Sequence, residues 1–281
     1  MFETIIIPAL IFAGVGLLAG VLLTIFSKIF AVETDERFEP INDALPQANC
    51  GACGYAGCSD YANAVLAGAE VNKCIPGGKK SADAIAEIMG VAAGEVESMV
   101  AFVRCDGSAG NTEAKYSFDG TQSCAAANRF YNGSEVCKFS CLGFGDCAKA
   151  CPEDAITIKD RLARIDRAKC IGCGICSKVC PDHLIVIKPR KNHVDVACSS
   201  CAGGKETRSI CKAGCIACKI CEKKCPNDAI HVIDNVARID YEKCTSCGIC
   251  VAACPRKVIR DCNQPMAEVK TEAETEKKTE E

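Results

Sequence analysis

The chain has 281 residues, which is enough for several small domains, and its formal net charge is -3. It contains 26 cysteines and no tryptophan, and aromatic residues make up only 5% of the sequence. This composition argues against a large aromatic core, and the lack of a basic stripe argues against nucleic acid as a partner. Small cysteine-rich modules are usually stabilised by metal sites or disulfides instead.

An uncharged apolar segment stands near the start of the chain. Residues 4–26 read TIIIPALIFAGVGLLAGVLLTIF. A helix rises about 1.5 Å per residue, so this run is long enough for the roughly 30 Å hydrocarbon core of a bilayer. A cleaved signal peptide is the alternative, but a basic start and an A-x-A cleavage site are both missing. The sequence therefore predicts a single transmembrane helix in 1–30, with a linker in 31–45.

A cysteine-rich segment follows in 46–104. Its four cysteines are Cys50, Cys53, Cys58 and Cys74. The motif SDYANAVLAG predicts a helix capped by Ser59, and 81–103 predicts two short amphipathic helices. Cys74 follows the first helix and can supply a fourth ligand. By itself this pattern is compatible with either an iron–sulfur cluster or a structural zinc ion.

The C-terminal half contains a duplicated unit. The segment CPEDAITIKDRLARID, which starts at Cys151, matches CPNDAIHVIDNVARID, which starts at Cys225. Three loops have the spacing C-x2-C-x2-C-x3-C-P, the signature of bacterial ferredoxins, which suits a cube of four irons better than zinc or disulfides. The loop cysteines are Cys170, Cys173, Cys176 and Cys180, then Cys215, Cys218, Cys221 and Cys225, then Cys244, Cys247, Cys250 and Cys254.

In this signature, the fourth cysteine of a loop binds the neighbouring cluster of a pair. A second ferredoxin module in 211–262 is therefore predicted to hold two [4Fe–4S] clusters. Their ligands would be Cys215, Cys218, Cys221 and Cys254 in one cluster, and Cys244, Cys247, Cys250 and Cys225 in the other. A first module is predicted in 136–190, where Cys170, Cys173 and Cys176 would share a cluster with Cys151.

One loop of the first module is irregular. The segment CKFSCLGFGDCAKACP has Phe144 at the position where the middle cysteine is expected. Cys137 is the nearest substitute, which predicts the ligand set Cys137, Cys141, Cys147 and Cys180. The alternative is an incomplete or lost cluster.

Taken in this order, the apolar segment, the C-x2-C-x4-C-x15-C motif and the two ferredoxin modules closely resemble the iron–sulfur B subunit of the Rnf complex. That complex is a membrane ferredoxin:NAD⁺ oxidoreductase that pumps Na⁺ or H⁺. The resemblance extends from Met1 to about Cys262. It implies a fifth [4Fe–4S] cluster at Cys50, Cys53, Cys58 and Cys74. It also implies soluble reduced ferredoxin as electron donor and the other Rnf membrane and flavin subunits as partners.

The expected protein is α+β, with a single N-terminal transmembrane helix, a small helical [4Fe–4S] domain and two tandem bacterial-type 2[4Fe–4S] ferredoxin modules. Connectors are expected in 105–135 and 191–210, and a disordered charged tail in 263–281. Because so many thiols need a reducing compartment, the expected location is the inner (cytoplasmic) membrane, single-pass, with the cluster domains on the cytoplasmic side.

The predicted function is electron transfer from ferredoxin to partner subunits, coupled in the whole complex to NAD⁺ reduction and Na⁺ or H⁺ translocation. The sequence has no P-loop, and no G-x-G-x-x-G motif follows a predicted strand, so we expect no flavin or nucleotide on this chain and no complete active site. Two other interpretations are a polyferredoxin component of another membrane dehydrogenase or hydrogenase, and a membrane-tethered iron–sulfur redox sensor.

Six cysteines have no assigned role: Cys105, Cys124, Cys198, Cys201, Cys211 and Cys262. Three of them, Cys198, Cys201 and Cys211, could form a further metal site or could be small buried apolar residues. The basic segment KPRK in 188–191 could guide an acidic ferredoxin or could be a solvated loop.

Overall fold

The structure is a computed structural model, and it describes residues 2–29, 35–108 and 110–263. The predicted charged tail lies outside these residues from 264 onward, as does the linker segment 31–34.

The apolar segment forms helix α1, Phe2–Ile29. Over the part of the chain that the structure describes, no helix is both long and apolar enough to cross a membrane. This finding contradicts the predicted transmembrane helix in 1–30, and that prediction is therefore wrong.

A helical domain follows α1. Its helices are α2 Phe38–Asp43, α3 Cys58–Leu66 and α4 Gly78–Met89. Ile41, Val65 and Ile85 are fully buried between them, and Tyr61 is almost so. Helix α2 lies within the segment that was predicted to be a linker. This segment packs onto the domain because its Ile41 is buried in the domain core. Helix α3 begins at Cys58 after Gly57, two residues earlier than a Ser59 cap would place it.

The remainder of the described chain contains two modules of similar design. Each combines a β-hairpin with a second antiparallel strand pair. In the first module the pairs are β2 Ile156–Lys159 with β3 Leu162–Ile165, and β1 Met99–Val103 with β4 Ile185–Pro189. In the second they are β6 Ile230–Ile233 with β7 Val236–Ile239, and β5 Val194–Val196 with β8 Ile259–Asp261.

Short helices connect these strands and follow the cysteine loops. They are α5 Cys124–Asn128, α6 Asp146–Lys149, α7 Ile175–Val179, α8 Gly204–Ile210, α9 Ile220–Lys224 and α10 Ile249–Ala253. Each module has its own apolar core beneath the loops, so the cysteines are held on two compact scaffolds.

The modules recruit strands from segments that the sequence assigned elsewhere. Strand β1 lies in the predicted helical domain, where 81–103 was expected to contain a second amphipathic helix. It is extended because Val100 and Ala101 are buried against β4, and the backbone ladder with β4 satisfies their polar groups. In the same way, β5 lies in the predicted connector 191–210 and pairs with β8.

A buried ion pair joins the two modules. Lys188 on β4 and Asp195 on β5 form a salt bridge, and both side chains are fully buried. The ammonium of Lys188 also donates to the Asn192 carbonyl at 2.7 Å. The segment 188–191 is therefore not simply a solvated loop, and within it the exposed Lys191 pairs with Glu97 at 2.7 Å.

Candidate metal centres

The four cysteine loops share one backbone conformation. In each loop, the residues two and four positions after the first cysteine have positive φ. These residues are Gly143 and Gly145, Gly172 and Gly174, Ala217 and Lys219, and Ser246 and Gly248. Left-handed residues between right-handed or extended ones turn successive N–H groups towards one point, and such backbone nests are common at iron–sulfur sites. The irregular loop has this conformation too, although it lacks the middle cysteine.

Three cavities are each lined by four cysteines and by mostly apolar neighbours. Their volumes, which include space open to solvent, are ≈ 330, 340 and 350 Å³. We name them the regular first-module group (Cys151, Cys170, Cys173 and Cys176), the inner second-module group (Cys215, Cys218, Cys221 and Cys254) and the outer second-module group (Cys225, Cys244, Cys247 and Cys250). Each cavity brings together the four cysteines that the sequence grouped.

Backbone N–H groups point at several of these sulfur atoms. The Sγ of Cys170 accepts from Ala101 at 3.4 Å, and the Sγ of Cys225 accepts from Ala229 at 3.3 Å. The first donor lies on β1, so the recruited strand completes the surroundings of the regular first-module group. Such hydrogen bonds favour the thiolate form of a ligand.

The cavity beside the irregular loop is lined by a cysteine other than the predicted one. A cavity of ≈ 360 Å³ is lined by the irregular first-module group, which consists of Cys124, Cys141, Cys147 and Cys180. Cys137 does not line this cavity but a different one. The structure thus brings Cys124, at the start of α5, to the place for which Cys137 was predicted.

The position of Cys124 has a clear local cause. Ser123 caps α5, and its hydroxyl donates to Asp146 at 2.8 Å, while the Ala125 N–H donates to the same carboxylate at 3.1 Å. Asp146 belongs to the irregular loop, so these bonds fasten α5 beside it. Phe144 is not among the residues that line this cavity, and it packs edge-on against Phe118, with ring centroids 5.6 Å apart. The Ser N-cap could have revealed α5 from sequence, but its partner loop could not have been found in this way.

The helical domain brings together its own four cysteines. Cys58 and Cys74 are buried, whereas Cys50 and Cys53 are half-buried. Burial raises the pKa of Cys74 to about 11, and Cys58, Cys53 and Cys50 lie near enough to raise it further. The four residues form the helical-domain group.

These cavities differ from a site for a single ion. Over the described residues, no group of three or more His, Cys, Asp or Glu side chains could hold one metal ion. The two observations are compatible, because a tetrahedral ion draws four sulfur atoms to one centre, whereas the thiolates of a cubane bind four different irons and stand farther apart.

The chemistry of the cysteines fits an iron–sulfur cluster. Burial raises the pKa of the Cys147 and Cys176 thiols to about 12, and the pKa of Cys221 and Cys250 to about 11, with nearby thiols adding to each shift. Thiols in these surroundings do not ionise together unless a cationic group binds them. A [4Fe–4S] cluster supplies that charge and needs four thiolates, which is what each group offers.

Neighbouring cysteine groups lie close to one another in the helical domain and the first module. The Lys178 ammonium donates to the Cys50 carbonyl at 2.7 Å, which docks the helical domain against α7. Burial raises the pKa of the Cys173 thiol, and Cys50 lies near enough to raise it further. Burial likewise raises the pKa of Cys147, and Cys176 lies near enough to add to that shift. The helical-domain, regular first-module and irregular first-module groups thus form a row.

The groups differ in their access to solvent. Of the 26 cysteines, only Cys218 and Cys247 are exposed, and they belong to the inner and outer second-module groups. The second module is therefore the part of the described chain where a soluble protein can come closest to a cysteine ligand.

Comparison with known protein families first defines the class of protein. The family described as "Putative Fe-S cluster" matches residues 45–76, a "4Fe-4S binding domain" matches 162–185, and a "4Fe-4S dicluster domain" matches 214–259. The chain is an iron–sulfur protein with several [4Fe–4S] centres.

Its relatives then define the family. The chain is 40% identical to the B subunit of the Na⁺-translocating ferredoxin:NAD⁺ oxidoreductase complex of Acetobacterium woodii, over 87% of this chain and 74% of that protein. It is 40% identical to the proton-translocating counterpart of Clostridium ljungdahlii, over 87% of each chain. It is 38% identical to the B subunit of the ion-translocating oxidoreductase complex of Methanosarcina acetivorans, over 92% of this chain and 99% of that protein. The chain belongs to this family of B subunits.

The family membership confirms the resemblance to the B subunit of the Rnf complex. These relatives are subunits of ion-translocating oxidoreductases, and the three named here match over most of this chain. The comparisons do not favour the two other interpretations, a polyferredoxin of another enzyme or a redox sensor.

Proposed function

We propose that this chain is the electron-transfer subunit of an ion-translocating ferredoxin:NAD⁺ oxidoreductase. In this role it takes electrons from reduced ferredoxin and passes them to partner subunits, and the complex couples this flow to NAD⁺ reduction and to Na⁺ or H⁺ translocation. The observation that carries the proposal is that groups of four cysteines line neighbouring cavities in scaffolds of ferredoxin type.

Five of these groups are proposed as ligand sets of [4Fe–4S] clusters. They are the helical-domain group, the regular and irregular first-module groups, and the inner and outer second-module groups. The irregular set contains Cys124 in place of the Cys137 predicted from sequence. Clusters bound at these sites would supply one-electron carriers, and the chain supplies their spacing, burial and hydrogen bonds.

Electron input is proposed at the second module. Cys218 and Cys247 are exposed there, and so are Lys219, Lys223 and Lys224 beside Cys218. A patch of positive charge would attract an acidic ferredoxin and speed its association. The row that ends at the helical-domain group would pass electrons on towards the other membrane and flavin subunits.

The cluster-bearing domains are proposed to lie on the cytoplasmic side of the membrane that holds the complex. Free thiols and iron–sulfur clusters need a reducing compartment, and soluble ferredoxin must reach the second module. Protease treatment of right-side-out and inverted vesicles tests this placement. Cleavage of the domains in right-side-out vesicles would overturn it.

The test of the function is reduction of the purified, anaerobically reconstituted chain by reduced ferredoxin. We expect the visible iron–sulfur absorbance to bleach at a rate that falls with increasing ionic strength. Lys223→Gln/Lys224→Gln should slow this reaction. Lys79→Gln/Lys80→Gln is the matched control, because these two lysines are also adjacent and exposed but lie on α4.

The result has a clear interpretation. Slower reduction in the α9 variant but not in the α4 variant supports ferredoxin docking at the second module. Equal rates in both variants would contradict the proposed docking site. Failure of reduced ferredoxin to bleach the fully loaded wild-type chain would contradict the proposed electron donor.

A further inference from the structure

One short segment between β4 and β5 reaches a cysteine loop in each module. The Arg190 guanidinium donates to the carbonyl of Cys170 in the first module. The Asn192 amide donates to the carbonyl of Cys244 in the second module, at 2.8 Å. Cys170 and Cys244 are equivalent positions of the duplicated unit, the first cysteine of each loop. The same backbone atom of the two loops is therefore held by a cation in one module and by a neutral group in the other.

The guanidinium of Arg190 is fixed by further hydrogen bonds. Its Nε donates to the Ser98 hydroxyl at 3.0 Å. Its terminal nitrogens donate to the carbonyls of Arg167, Met99 and Cys170. Within the described part of the chain, every group that accepts from this side chain is neutral. Because a guanidinium does not lose its proton in a protein, a permanent positive charge stands beside the loop of the regular first-module group.

The loop and β1 are in direct contact at this place. The Ala101 N–H on β1 donates to the Sγ of Cys170 at 3.4 Å. A Cβ added at Gly172 would lie only 2.7 Å from the Met99 carbonyl oxygen, which shows how closely the two backbones approach. Arg190 itself is half-buried. Its charge is therefore screened less than a charge on the open surface.

Two neighbouring differences between the modules have the same sign. Arg167, whose guanidinium donates to the Arg190 carbonyl at 3.0 Å, corresponds to the neutral Tyr241 in the duplicated unit. Ala168 corresponds to Glu242. Both differences make the surroundings of the first-module loop more positive than those of its counterpart.

One difference has the opposite sign. Glu153 lines the cavity of the regular first-module group, and the corresponding residue of the second module is the neutral Asn227. Glu153 is exposed, so solvent and salt screen its charge. Arg190 is half-buried and hydrogen-bonded to a proposed ligand residue, so its effect outweighs that of Glu153.

A fixed charge beside an iron–sulfur site alters its reduction potential. Reduction adds one negative charge, so a neighbouring cation stabilises the reduced state and raises the potential. At an effective dielectric constant of about 20, a unit charge changes a one-electron equilibrium about tenfold from as far away as about 12 Å. A single hydrogen bond separates the Arg190 guanidinium from Cys170, which places the charge within this range.

We propose that Arg190 raises the reduction potential of the regular first-module group above that of the outer second-module group. The proposal rests on the proposed electron-transfer function and gives it a direction, from the second module to the first. In the net step the outer second-module site is oxidised by one electron and the regular first-module site is reduced by one, with no bond or proton exchanged. Arg190 is not a ligand; it acts through its charge and its hold on the ligand loop.

The experiment is an anaerobic redox titration of the reconstituted full chain with dithionite, followed by electron paramagnetic resonance. Cys173→Ala and Cys247→Ala each remove one one-electron component, which assigns the regular first-module and outer second-module sites. We expect the component lost in Cys173→Ala to have the higher midpoint potential of the two. The opposite order would overturn the proposal.

Variants of Arg190 separate its charge from its hydrogen bonds. Arg190→Gln should shift the component of the regular first-module group to more negative potential, with the ratio of reduced to oxidised sites about tenfold lower at a fixed solution potential. Arg190→Lys keeps the charge and should stay close to the wild type. Lys191→Gln is the matched control, because Lys191 is adjacent in sequence but exposed and paired with Glu97. Cys173→Ala/Arg190→Gln should show no shift in the remaining components.

Each outcome has one interpretation. A negative shift in Arg190→Gln alone, absent when Cys173 is replaced, supports the proposal. An equal shift in Arg190→Lys would overturn it in favour of a structural role, and an equal shift in Lys191→Gln would overturn it in favour of general surface charge. If Arg190→Gln loses iron, the order of the two components assigned with the cysteine variants still decides the matter.

The titration also separates this proposal from the proposed function. Dithionite replaces ferredoxin, so the order of the potentials is measured whether or not ferredoxin is the donor. A reversed order overturns the role of Arg190 and leaves ferredoxin as the proposed donor, whereas failure of ferredoxin to reduce the chain leaves the measured order unchanged.

Discussion

Replacing Lys188 by Met tests how the two modules are held together. Lys188→Met keeps the length of the side chain but removes the ammonium group. In the wild type this group contacts the Asp195 carboxylate and the Asn192 carbonyl, and lies 5.7 Å from the Phe102 ring centroid and 5.4 Å from that of Tyr241. Burial lowers the pKa of Lys188, and the neighbouring Asp195 opposes this shift.

The expected cost follows from what the substitution leaves behind. Asp195 is fully buried, and after the change its carboxylate keeps only neutral donors, the Tyr241 hydroxyl at 2.8 Å and the Cys262 thiol at 3.1 Å. Breaking a buried ion pair by removing one partner costs about 3–5 kcal/mol. For a chain of this size, that is a decrease of roughly 6–20 °C in the unfolding midpoint. Lys188→Met/Asp195→Asn removes both charges and should recover much of the loss.

The assay is anaerobic thermal unfolding of the reconstituted chain, followed by circular dichroism. Lys191→Met is the control, because Lys191 is exposed and its pair with Glu97 is worth at most about 1 kcal/mol. The reasoning would be refuted if Lys188→Met lowered the midpoint no more than Lys191→Met. It would also be refuted if the double variant were less stable than Lys188→Met.

Two further predictions concern the irregular loop and the docking of the helical domain. Cys124→Ala should remove about 4 irons, and Cys124→Ala/Phe144→Cys should restore them, because Phe144 occupies the middle position of the loop. Iron analysis checks both, and an unchanged iron content in Cys124→Ala would remove Cys124 from the ligand set. Lys178→Met should lose the bond to the Cys50 carbonyl, worth about 1 kcal/mol. We therefore expect backbone hydrogen exchange in 45–76 to be about fivefold faster in Lys178→Met than in the wild type. Lys169→Met, at an exposed lysine, is the control, and an equal increase in this variant would argue against the contact between Lys178 and Cys50.

Spacing within the regular loops predicted which cysteines line a common cavity. The three C-x2-C-x2-C-x3-C-P loops led directly to the cysteine groupings that line three of the cavities. The same reasoning failed at Phe144. Proximity in sequence favoured Cys137, but the hydrogen bonds of Asp146 to Ser123 and Ala125 place Cys124 in that cavity.

Secondary structure was also decided by partners far away in the chain. Residues 99–103 have an apolar pattern that suggested a helix, yet they form a strand because β4 offers a backbone ladder and an apolar core. Helix α2 formed where a linker was expected, because the domain core buries its Ile41. In both cases the burial of apolar side chains outweighs local propensity.

The sequence by itself determined the class of cofactor, the duplicated modules and the family, because a cubane places strict demands on the spacing of cysteines within a loop. The tertiary structure alone decided that Cys124 lines the cavity of the irregular loop and that Cys105, Cys137, Cys198 and Cys211 line a common cavity. The physical reason is that these cysteines come from segments distant in sequence. Only strand pairing, helix capping and a buried ion pair bring such segments together.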